Sequence, residues 1–454
     1  MISRLNVLLS KIKADYADLR YEKRQDTKIA VRTEEIVDIG ENVTDGYVLR
    51  VLKNGGLASI AFTREKDAEK AIEIAVKNAE LIGKNLKNPV KFAQSKIIKD
   101  TFIPELKEDP RNIPIEEKLK MIKKYDTIPN NYHKIISTST NYLDLTREKY
   151  FVNTEGTEIR EDLITTRISG SITAKDGNLT QTVRVKAGGS QGFQHLRNQE
   201  SNFEERTKTA LDLLKAEPIS GGTYNVILNP SLTGVFAHEA FGHFSEADII
   251  EKLPSMRKRM QLGKKIGSDV LNIVDDATMP NQLGFYKYDD EGVPVRKVQL
   301  IKNGVLSGRL HSRRTAYEFD SSVTGHNIAQ DYRFAPIVRM GNIFIEPGRY
   351  GFEELLSELG DGLYILDAMG GQTSGENFTF GAQQAYEVKN GKLGKMIRDI
   401  NISGNLYSTL KNITHVGKDL VLSDAGGCGK GQINIRSCNG GPHIIVKNLI
   451  IGGK

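Results

Sequence analysis

Two histidines and a glutamate stand close together near the middle of the chain, in the pattern His-Glu-x-x-x-His over positions 238–243. Imidazole nitrogens bind Zn²⁺ well, and a carboxylate beside a zinc-bound water can act as its base. The sequence therefore predicts a metal site that contains His238 and His243, with Glu239 as the catalytic base. The other reading, two unrelated histidines on a partly buried helix, leaves the adjacent glutamate and the glycine before the second histidine unexplained.

The spacing of the two histidines differs from the usual metallopeptidase pattern, His-Glu-x-x-His. Histidines four residues apart lie about 40° apart around an α-helix, whereas histidines five residues apart lie about 140° apart. A π-bulge would return both to one face, and such bulges are frequent at functional sites. Asn229 as N-cap and Pro230 in the first turn indicate a helix start. We therefore predict a helix that begins near Pro230 and is widened or broken between His238 and His243.

A catalytic zinc site needs a third protein ligand, because zinc prefers four-coordination and one position is kept for water. The residues alone leave several candidates open. Glu246 lies three residues beyond His243 and shares its helical face, as a ligand or as a group that orients one. Cys428 stands in a glycine-rich run that could bring a thiolate close to a metal. The other candidates are Cys438 and the remaining histidines, His133, His195, His311, His326, His415 and His443.

Bulk composition restricts the functional class. The chain has 454 residues, 39% of them hydrophobic and 26% charged, and a formal net charge of +6. This length predicts two domains, and so mild a charge does not indicate a nucleic-acid partner. No apolar run approaches the ~20 residues that span a bilayer, so we expect no membrane association. Two cysteines are too few for a disulfide framework, and we expect a cytoplasmic protein.

Hydrophobic periodicity and turn signals locate the elements that must position these residues. Helices are predicted over 64–83, with Thr63 as N-cap, over 115–125, and onward from a capping box at 201–204. Alternating segments over 134–187 predict strands. Hairpin turns are indicated at Asn54-Gly55, Asp176-Gly177, Asn303-Gly304 and Asn390-Gly391. These signals predict an α+β fold with largely antiparallel sheets and interspersed helices.

The loop over 217–222 is the best candidate for a domain boundary, because it follows a predicted helix and precedes a predicted strand. We divide the chain there into an N-terminal α+β domain, residues 1–217, and a C-terminal domain, residues 218–454. The C-terminal domain carries the predicted metal-site helix.

Further motifs follow the histidines in a fixed order. They are Asp275-Asp276, 288–292, Thr324-Gly325, 336–340, 370–375, 428–432 and 449–453. The ordered set resembles the TldD/PmbA family of metalloproteases, its catalytic TldD-type branch in particular. The N-terminal half resembles the family more loosely, through residues 154–157 and Gly188-Gly189.

The resemblance implies one zinc ion per chain, held by His238, His243 and Cys428, with Glu239 as the base. It also implies a two-domain α+β fold, pairing with an identical or related subunit, and unfolded or extended peptides as substrates. Cys438 has no counterpart in these motifs, and no role is assigned to it.

The predicted function is that of a zinc-dependent metallopeptidase, in which a metal-bound water activated by Glu239 attacks a peptide bond. The alternative is a peptide-binding or peptide-maturation subunit that holds a metal and hydrolyses little. Glu239 favours the enzyme, because a purely structural site needs no adjacent base. We also expect the substrate to bind as an added strand, and the segment 378–388 is a candidate edge for it.

Overall fold

The computed structural model describes residues 1–423, 426–433 and 435–452. It combines long antiparallel strands with interspersed helices, which confirms the predicted α+β class. Gly453, the last residue of the C-terminal motif, lies outside the described residues. Within the described ranges, no helix is both long enough and apolar enough to span a bilayer.

The α-helices are distributed along the chain, and several of them are only two turns long or shorter. They are α1 (Ile2–Leu9), α2 (Ala68–Asn85), α3 (Ile115–Asn130), α4 (Glu200–Leu213), α5 (Pro230–Val235), α6 (His243–Ser245), α7 (Ala247–Lys252), α8 (Pro254–Arg259), α9 (Arg313–Glu318), α10 (Phe352–Leu359) and α11 (Leu406–Asn412). A π-helical segment, Phe236–Gly242, joins α5 to α6. Short 3₁₀ turns occur at Glu65–Asp67, Pro110–Asn112 and Phe193–Leu196.

The three amphipathic helices predicted in the N-terminal half are present. Helix α3 begins at Ile115 as predicted, but the beginnings of the other two differ from the prediction. Helix α2 begins at Ala68 after a 3₁₀ turn, so Thr63 is not its N-cap. Helix α4 begins at Glu200, and its N-cap residue, Gln199, makes no capping hydrogen bond through its side chain, so the predicted capping box is wrong. In both helices, packing of the buried face determines where the helix begins, and the local capping residues do not.

Seven strands of the N-terminal half form one sheet. They are β1 (Tyr16–Arg32), β2 (Glu35–Lys53), β3 (Gly56–Phe62), β4 (Lys99–Phe102), β5 (Ile135–Asn153), β6 (Glu158–Asp176) and β7 (Leu179–Gly189). Their order is β3-β2-β1-β5-β6-β4, and β7 also pairs with β6. The predicted turns Asn54-Gly55 and Asp176-Gly177 join β2 to β3 and β6 to β7, with φ of +77° at Gly55 and +56° at Gly177. Both hairpin predictions are confirmed.

The C-terminal half contains shorter strands in several sheets. They are β8 (Glu217–Pro218), β9 (Gly222–Leu228), β10 (Ile273–Asp275), β11 (Val298–Lys302), β12 (Val305–Leu306), β13 (Asn327–Ile328), β14 (Ile337–Val338), β15 (Asn342–Ile345), β16 (Gly362–Ser374), β17 (Asn377–Lys389), β18 (Lys392–Arg398), β19 (Ile400–Asn405), β20 (Ile413–Val416), β21 (Val421–Leu422), β22 (Cys438–Gly441) and β23 (Ile444–Gly452). The predicted turns Asn303-Gly304 and Asn390-Gly391 join β11 to β12 and β17 to β18, as expected.

Pairing among five of these strands closes a ring, in the order β9-β16-β17-β19-β23 and back to β9. A second sheet has the order β12-β11-β10-β15-β22-β21. Helix α5 and the π-helical segment lie between the ring and this second sheet. Phe236 packs edge-on against Phe378 in the ring of strands, and the centroids of the two aromatic side chains lie 5.5 Å apart. On the other side, an ideal Cβ on Gly234 would stand 2.7 Å from the Gly440 backbone in β22.

The prediction that residues 378–388 form a free edge is wrong. Strand β17 pairs with β16 along one side, and with β19 and β18 along the other. The turn signal at Asn390-Gly391 identified one neighbour, β18. Strand β16 directly precedes β17 and is joined to it through Gly375 and Glu376, a hairpin that the sequence prediction missed, and β19 follows β18 directly.

Buried ion pairs connect the N-terminal sheet to the C-terminal half. Asp290 lies 3.0 Å from Arg20 and 3.2 Å from Lys149, and Glu291 lies 2.9 Å from Arg50. All five side chains are almost completely buried. A buried charge that loses its partner is strongly destabilising, so these pairs fix how the two halves meet.

The division of the chain at residue 217 stays a prediction. At that position the chain forms β8, which pairs in parallel with Ile397 and Arg398 of β18. The predicted boundary loop therefore contains a short strand that adds to the C-terminal sheet.

We predict that Gly234→Ala lowers the stability of the chain by about 1–3 kcal/mol, because the added methyl group meets backbone atoms that cannot move aside. The ideal Cβ would stand 2.7 Å from both the nitrogen and the Cα of Gly440. Urea denaturation followed by circular dichroism measures the shift in midpoint. Gly40→Ala is the matched control, because nothing lies within 4 Å of a Cβ there. Equal midpoints for the two variants would contradict the prediction.

Candidate metal centre

The helix that carries His238 begins where the sequence predicts. The Asn229 side chain accepts a hydrogen bond from the Leu232 amide at 3.1 Å, and Pro230 occupies the first helical position. The α-helix changes to a π-helix over Phe236–Gly242 and returns to α-helical geometry at His243. The predicted widening between the two histidines is confirmed. The two imidazole rings lie next to one another in an edge-to-face arrangement, with centroids 5.3 Å apart.

Cys428 lies against these two rings. Its Sγ is 2.9 Å from Nε2 of His238 and 3.7 Å from Nε2 of His243. A backbone bridge to Ile435, with N–O distances of 3.1 and 3.2 Å, fixes the segment that carries it. The three ligand atoms all lie within 4.8 Å of one another. The structure thus brings together the three residues that the sequence singled out as metal ligands.

The donor set and its spacing fit a zinc ion. Zinc–nitrogen and zinc–sulfur bonds of about 2.0–2.3 Å place tetrahedral donors roughly 3.3–3.8 Å apart, close to the spacing of this cluster. His238 and Cys428 are buried, and Nδ1 of His238 has no hydrogen-bond partner among the described residues. Two imidazoles and a thiolate leave the fourth position of a tetrahedron open, as in catalytic sites.

The electrostatics of the cluster favour an anionic sulfur. Burial would raise the pKa of the Cys428 thiol, but hydrogen bonds with His238 and His243 outweigh burial and lower the pKa to about 6. Burial alone would lower the pKa of the His243 imidazole, but its hydrogen bonds with Cys428 and Glu246 outweigh burial and raise that pKa to about 10. A thiolate is the form in which cysteine binds metal, so the surroundings prepare Cys428 for that role.

Glu246 contacts the outer nitrogen of His243, with Oε2 3.1 Å from Nδ1. This contact turns Nε2 of His243 toward Cys428. Glu246 is fully buried, and Lys430 and Arg339 lie 3.1 Å and 3.8 Å from its carboxylate. Burial would raise the pKa of Glu246, but His243, Lys430 and Arg339 lower it overall. The sequence left Glu246 open as a ligand or an orienting group, and this geometry fits the orienting group.

Glu239 has the most exposed side chain of this group. Its side chain is 28% exposed, against 20% for His243, and its Oε2 lies 3.8 Å from Nε2 of His243. The Thr373 hydroxyl donates to the backbone carbonyl of Glu239 at 2.8 Å. The carboxylate therefore lies beside the cluster and is partly exposed to solvent.

The remaining candidate ligands lie elsewhere. The Cys438 thiol contacts the carbonyl oxygen of Ser423 at 3.0 Å. His326 contacts Asp275 at 3.0 Å, and His443 contacts Asp419 at 2.6 Å. Within the part of the chain that the structure describes, His238, His243 and Cys428 form the one group of this kind, and no other histidine joins it.

Sequence reasoning missed three residues of the site. Arg339, Thr373 and Lys430 each fall within a motif that the sequence analysis quoted, but their roles depend on contacts with residues far away in the chain. Lys430 is held between Glu246 and Asp248, with 2.8 Å to the nearer Asp248 oxygen. The position of Lys430, two residues after Cys428, was the one signal in the sequence that could have identified it as part of the site.

Comparison with protein-family models identifies three successive matches. Residues 17–79 match domain 1 of the PmbA/TldA metallopeptidases, residues 108–216 match their central domain, and residues 221–453 match their C-terminal domain. Together these matches cover most of the chain and include every residue of the cluster.

Curated relatives extend over nearly the full length. A metalloprotease of Synechocystis is 35% identical over 97% of this chain and 95% of the relative. A metalloprotease of Methanocaldococcus jannaschii is 36% identical over 94% and 95%. A protein of Saccharolobus solfataricus named zinc metalloprotease TldD homolog is 32% identical over 97% of both chains.

Solved structures share the fold at lower identity. A Thermotoga maritima protein described as a modulator of a DNA gyrase superposes with a TM-score of 0.80 at 21% identity, over 99% of both chains. TldE from Thermococcus kodakarensis superposes with a TM-score of 0.79 at 20% identity, also over 99% of both chains. At this identity the likeness concerns the fold alone.

We predict that Cys428→Ala lowers the zinc content of the purified chain at least tenfold, because a structural thiolate ligand contributes several kcal/mol to metal affinity. Inductively coupled plasma mass spectrometry after dialysis measures the zinc-to-protein ratio. Cys438→Ala is the matched control, because Cys438 is also buried but contacts Ser423. Full zinc occupancy in Cys428→Ala would reject the two-histidine, one-cysteine site.

Proposed function

The chain belongs to the TldD/PmbA family of metallopeptidases, and on that premise we propose that it is a zinc-dependent peptidase that hydrolyses unfolded or extended peptides. One observation supports this above all. His238, His243 and Cys428 offer three ligand atoms within 4.8 Å of one another, and the Glu239 carboxylate stands beside them, partly exposed. A site that held zinc for structure alone would need neither the open position nor the adjacent base.

Each residue of the site has its own role in the proposed hydrolysis. His238, His243 and Cys428 would hold the ion, and zinc, when bound, supplies Lewis acidity that acidifies water and polarises a carbonyl. The Glu239 carboxylate would accept the proton of the attacking water and return it to the leaving amine. Glu246 keeps the His243 ring oriented through its bond to Nδ1. Because a thiolate donates charge to the metal, we expect slow turnover.

Peptide binding is supported by the edge of β16. This strand pairs with β9 only over residues 363–365, while its other side pairs with β17 along the whole length. Beyond residue 365, no strand of the described chain pairs with the first side. Thr373, in this stretch, contacts the backbone of Glu239. A peptide added to this edge would lie beside the proposed base, and main-chain pairing would make recognition tolerant of side-chain identity.

Pairing with an identical or a related subunit is part of the proposal, as is a cytoplasmic location. The outer half of the β1–β2 hairpin exposes a set of apolar side chains, Ile36, Val37, Ile39 and Val43. Exposed apolar surface at a strand edge favours association. The cytoplasm is proposed because its reducing conditions keep a cysteine ligand as free thiolate.

We predict that the purified chain, alone or mixed with a related subunit of the same organism, forms a pair, and that Val37→Lys with Ile39→Lys weakens it at least tenfold. The added charges would have to be buried or moved aside in the interface. Sedimentation velocity measures the mass. Val7→Lys is the control, because Val7 is also exposed but lies on α1. A single-chain mass under both conditions would refute this part of the proposal.

We predict that Glu239→Gln lowers kcat for cleavage of an unfolded protein or short peptide at least a hundredfold, with zinc content unchanged. Removing a general base typically costs about 10²–10⁴ in rate, and the amide keeps the size of the side chain. Mass spectrometry of the products measures cleavage. Chelation should abolish wild-type activity, and added Zn²⁺ should restore it. Cleavage that persists in Glu239→Gln, or in the chelated wild type, would favour the alternative of a maturation partner.

A further inference from the structure

A cavity of about 240 Å³ lies between the N-terminal sheet and the segment that carries Cys428. Strands β1, β5 and β6 form one wall, and Gly426 and Gly427 form part of the other. The backbone immediately before Cys428 therefore lines this space. Pockets for drug-sized ligands hold about 300–1,000 Å³, so the cavity suits a smaller group such as the end or side chain of a peptide.

Positive charge dominates the cavity lining. The cationic side chains are Arg24, Lys28, Arg147, Arg167, Arg333 and Arg436, and Asp26 is the one carboxylate in the described lining. Several of these cations have acidic partners. Arg147 binds Glu22 through two nitrogens, and Arg24 and Arg333 share Asp331.

Arg167 and Arg436 have no carboxylate partner among the described residues, which leave out Asp424 and Ala425. Arg436 is only 7% exposed, and its hydrogen bonds go to neutral oxygens of Ile164, Thr165, Ser190 and Phe285. Its Nε has no partner in the described chain. Burial and the nearby Arg147 lower the pKa of Arg436 to about 9, although Glu161 opposes them, so the group stays charged at neutral pH.

Arg167 connects the cavity to the metal centre. Its guanidinium donates to the carbonyl oxygen of Gly426 at 3.4 Å, and an ideal Cβ on Gly427 would stand 3.8 Å from the same group. Burial lowers the pKa of Arg167. A half-buried guanidinium that has no acidic partner in the described part of the chain can bind an anion, and guanidinium groups bind carboxylates through paired hydrogen bonds.

We propose that this cavity is a carboxylate-binding subsite, in which Arg167 binds a carboxylate of the peptide whose backbone reaches the metal centre, and the buried charge of Arg436 lies in the same lining. The proposal rests on the proposed peptidase function and adds a preference to it. The carboxylate comes from one of two sources, the C-terminus of the peptide or an acidic side chain. Either would neutralise a charge that no carboxylate of the described residues compensates, and would lie within two residues of a proposed metal ligand.

Four fluorescein-labelled alanine hexapeptides separate these sources. One pair has a free C-terminal acid or its amide, and the other pair is an amide with one internal alanine replaced by glutamate or glutamine. Binding is measured by fluorescence anisotropy with the zinc-loaded Glu239→Gln chain, which holds the peptides without cleaving them. We expect the carboxylate member of at least one pair to bind about tenfold more tightly or better. The pair that responds identifies the source.

Variants in the same background test the assigned residue. Arg167→Gln should abolish the preference for the carboxylate and leave binding of the neutral peptides within twofold. Arg167→Lys, which keeps the charge but loses the paired donors, should reduce the preference without abolishing it. Arg160→Gln is the matched control, because Arg160 lies on the same strand, pairs with Asp162 and does not line the cavity. Thermal melting verifies that each variant folds. If Arg167→Gln does not fold, Arg167→Lys is used as the test variant.

Equal affinity within both pairs would overturn the subsite, and so would a preference that survives Arg167→Gln. Cleavage of the same peptides by the chain with Glu239 intact is assayed separately. Binding preference without any cleavage would refute the peptidase function and leave the subsite standing. Cleavage without preference would refute the subsite and leave the function standing.

Discussion

The whole site depends on the interval of five residues between His238 and His243. An α-helix would turn the two imidazoles apart, and only the π-helical segment over 236–242 brings them to one side. That distortion needs support from the surrounding packing, because a π-helix is rarely stable by itself. Phe236 and Phe241 are fully buried on either side of His238, and the ring of strands and the second sheet enclose the segment. Packing of the core around this turn is therefore as necessary for the candidate metal centre as the three proposed ligands are.

Gly242 shows how the packing makes this possible. Its φ of −55° and ψ of −43° are those of an ordinary helix, so backbone freedom does not explain the glycine. An added Cβ would stand 2.2 Å from the Met340 sulfur and 2.9 Å from Ile343. The glycine therefore leaves space for these two side chains, so that the widened turn can pack against β15. Local sequence shows the residue type but not the neighbour that demands it.

Other structural features also differ in whether adjacent residues or distant contacts determine them. The hairpin turns and the start of helix α5 follow from two or three adjacent residues, and they could be predicted. The helix caps at Thr63 and 201–204 failed because tertiary packing moved the first turns. The residues alone could not select Cys428 over Glu246, since 185 positions separate Cys428 from His243. The resemblance singled out Cys428, and the contacts of Glu246 with His243, Lys430 and Arg339 supply the physical reason.

The same separation of 185 positions has a consequence for how the protein is made. When the ribosome has produced the helix with its two imidazoles, the sulfur that completes the cluster has not yet been synthesised. β23, which pairs with the β9 strand leading into that helix, is translated later still. A nascent chain therefore offers an ion two imidazoles without their thiolate. The proposed hydrolysis needs all three ligands, so it requires a chain that has been translated at least as far as Cys428. The order of the sequence therefore delays the complete cluster until the C-terminal segment has been made.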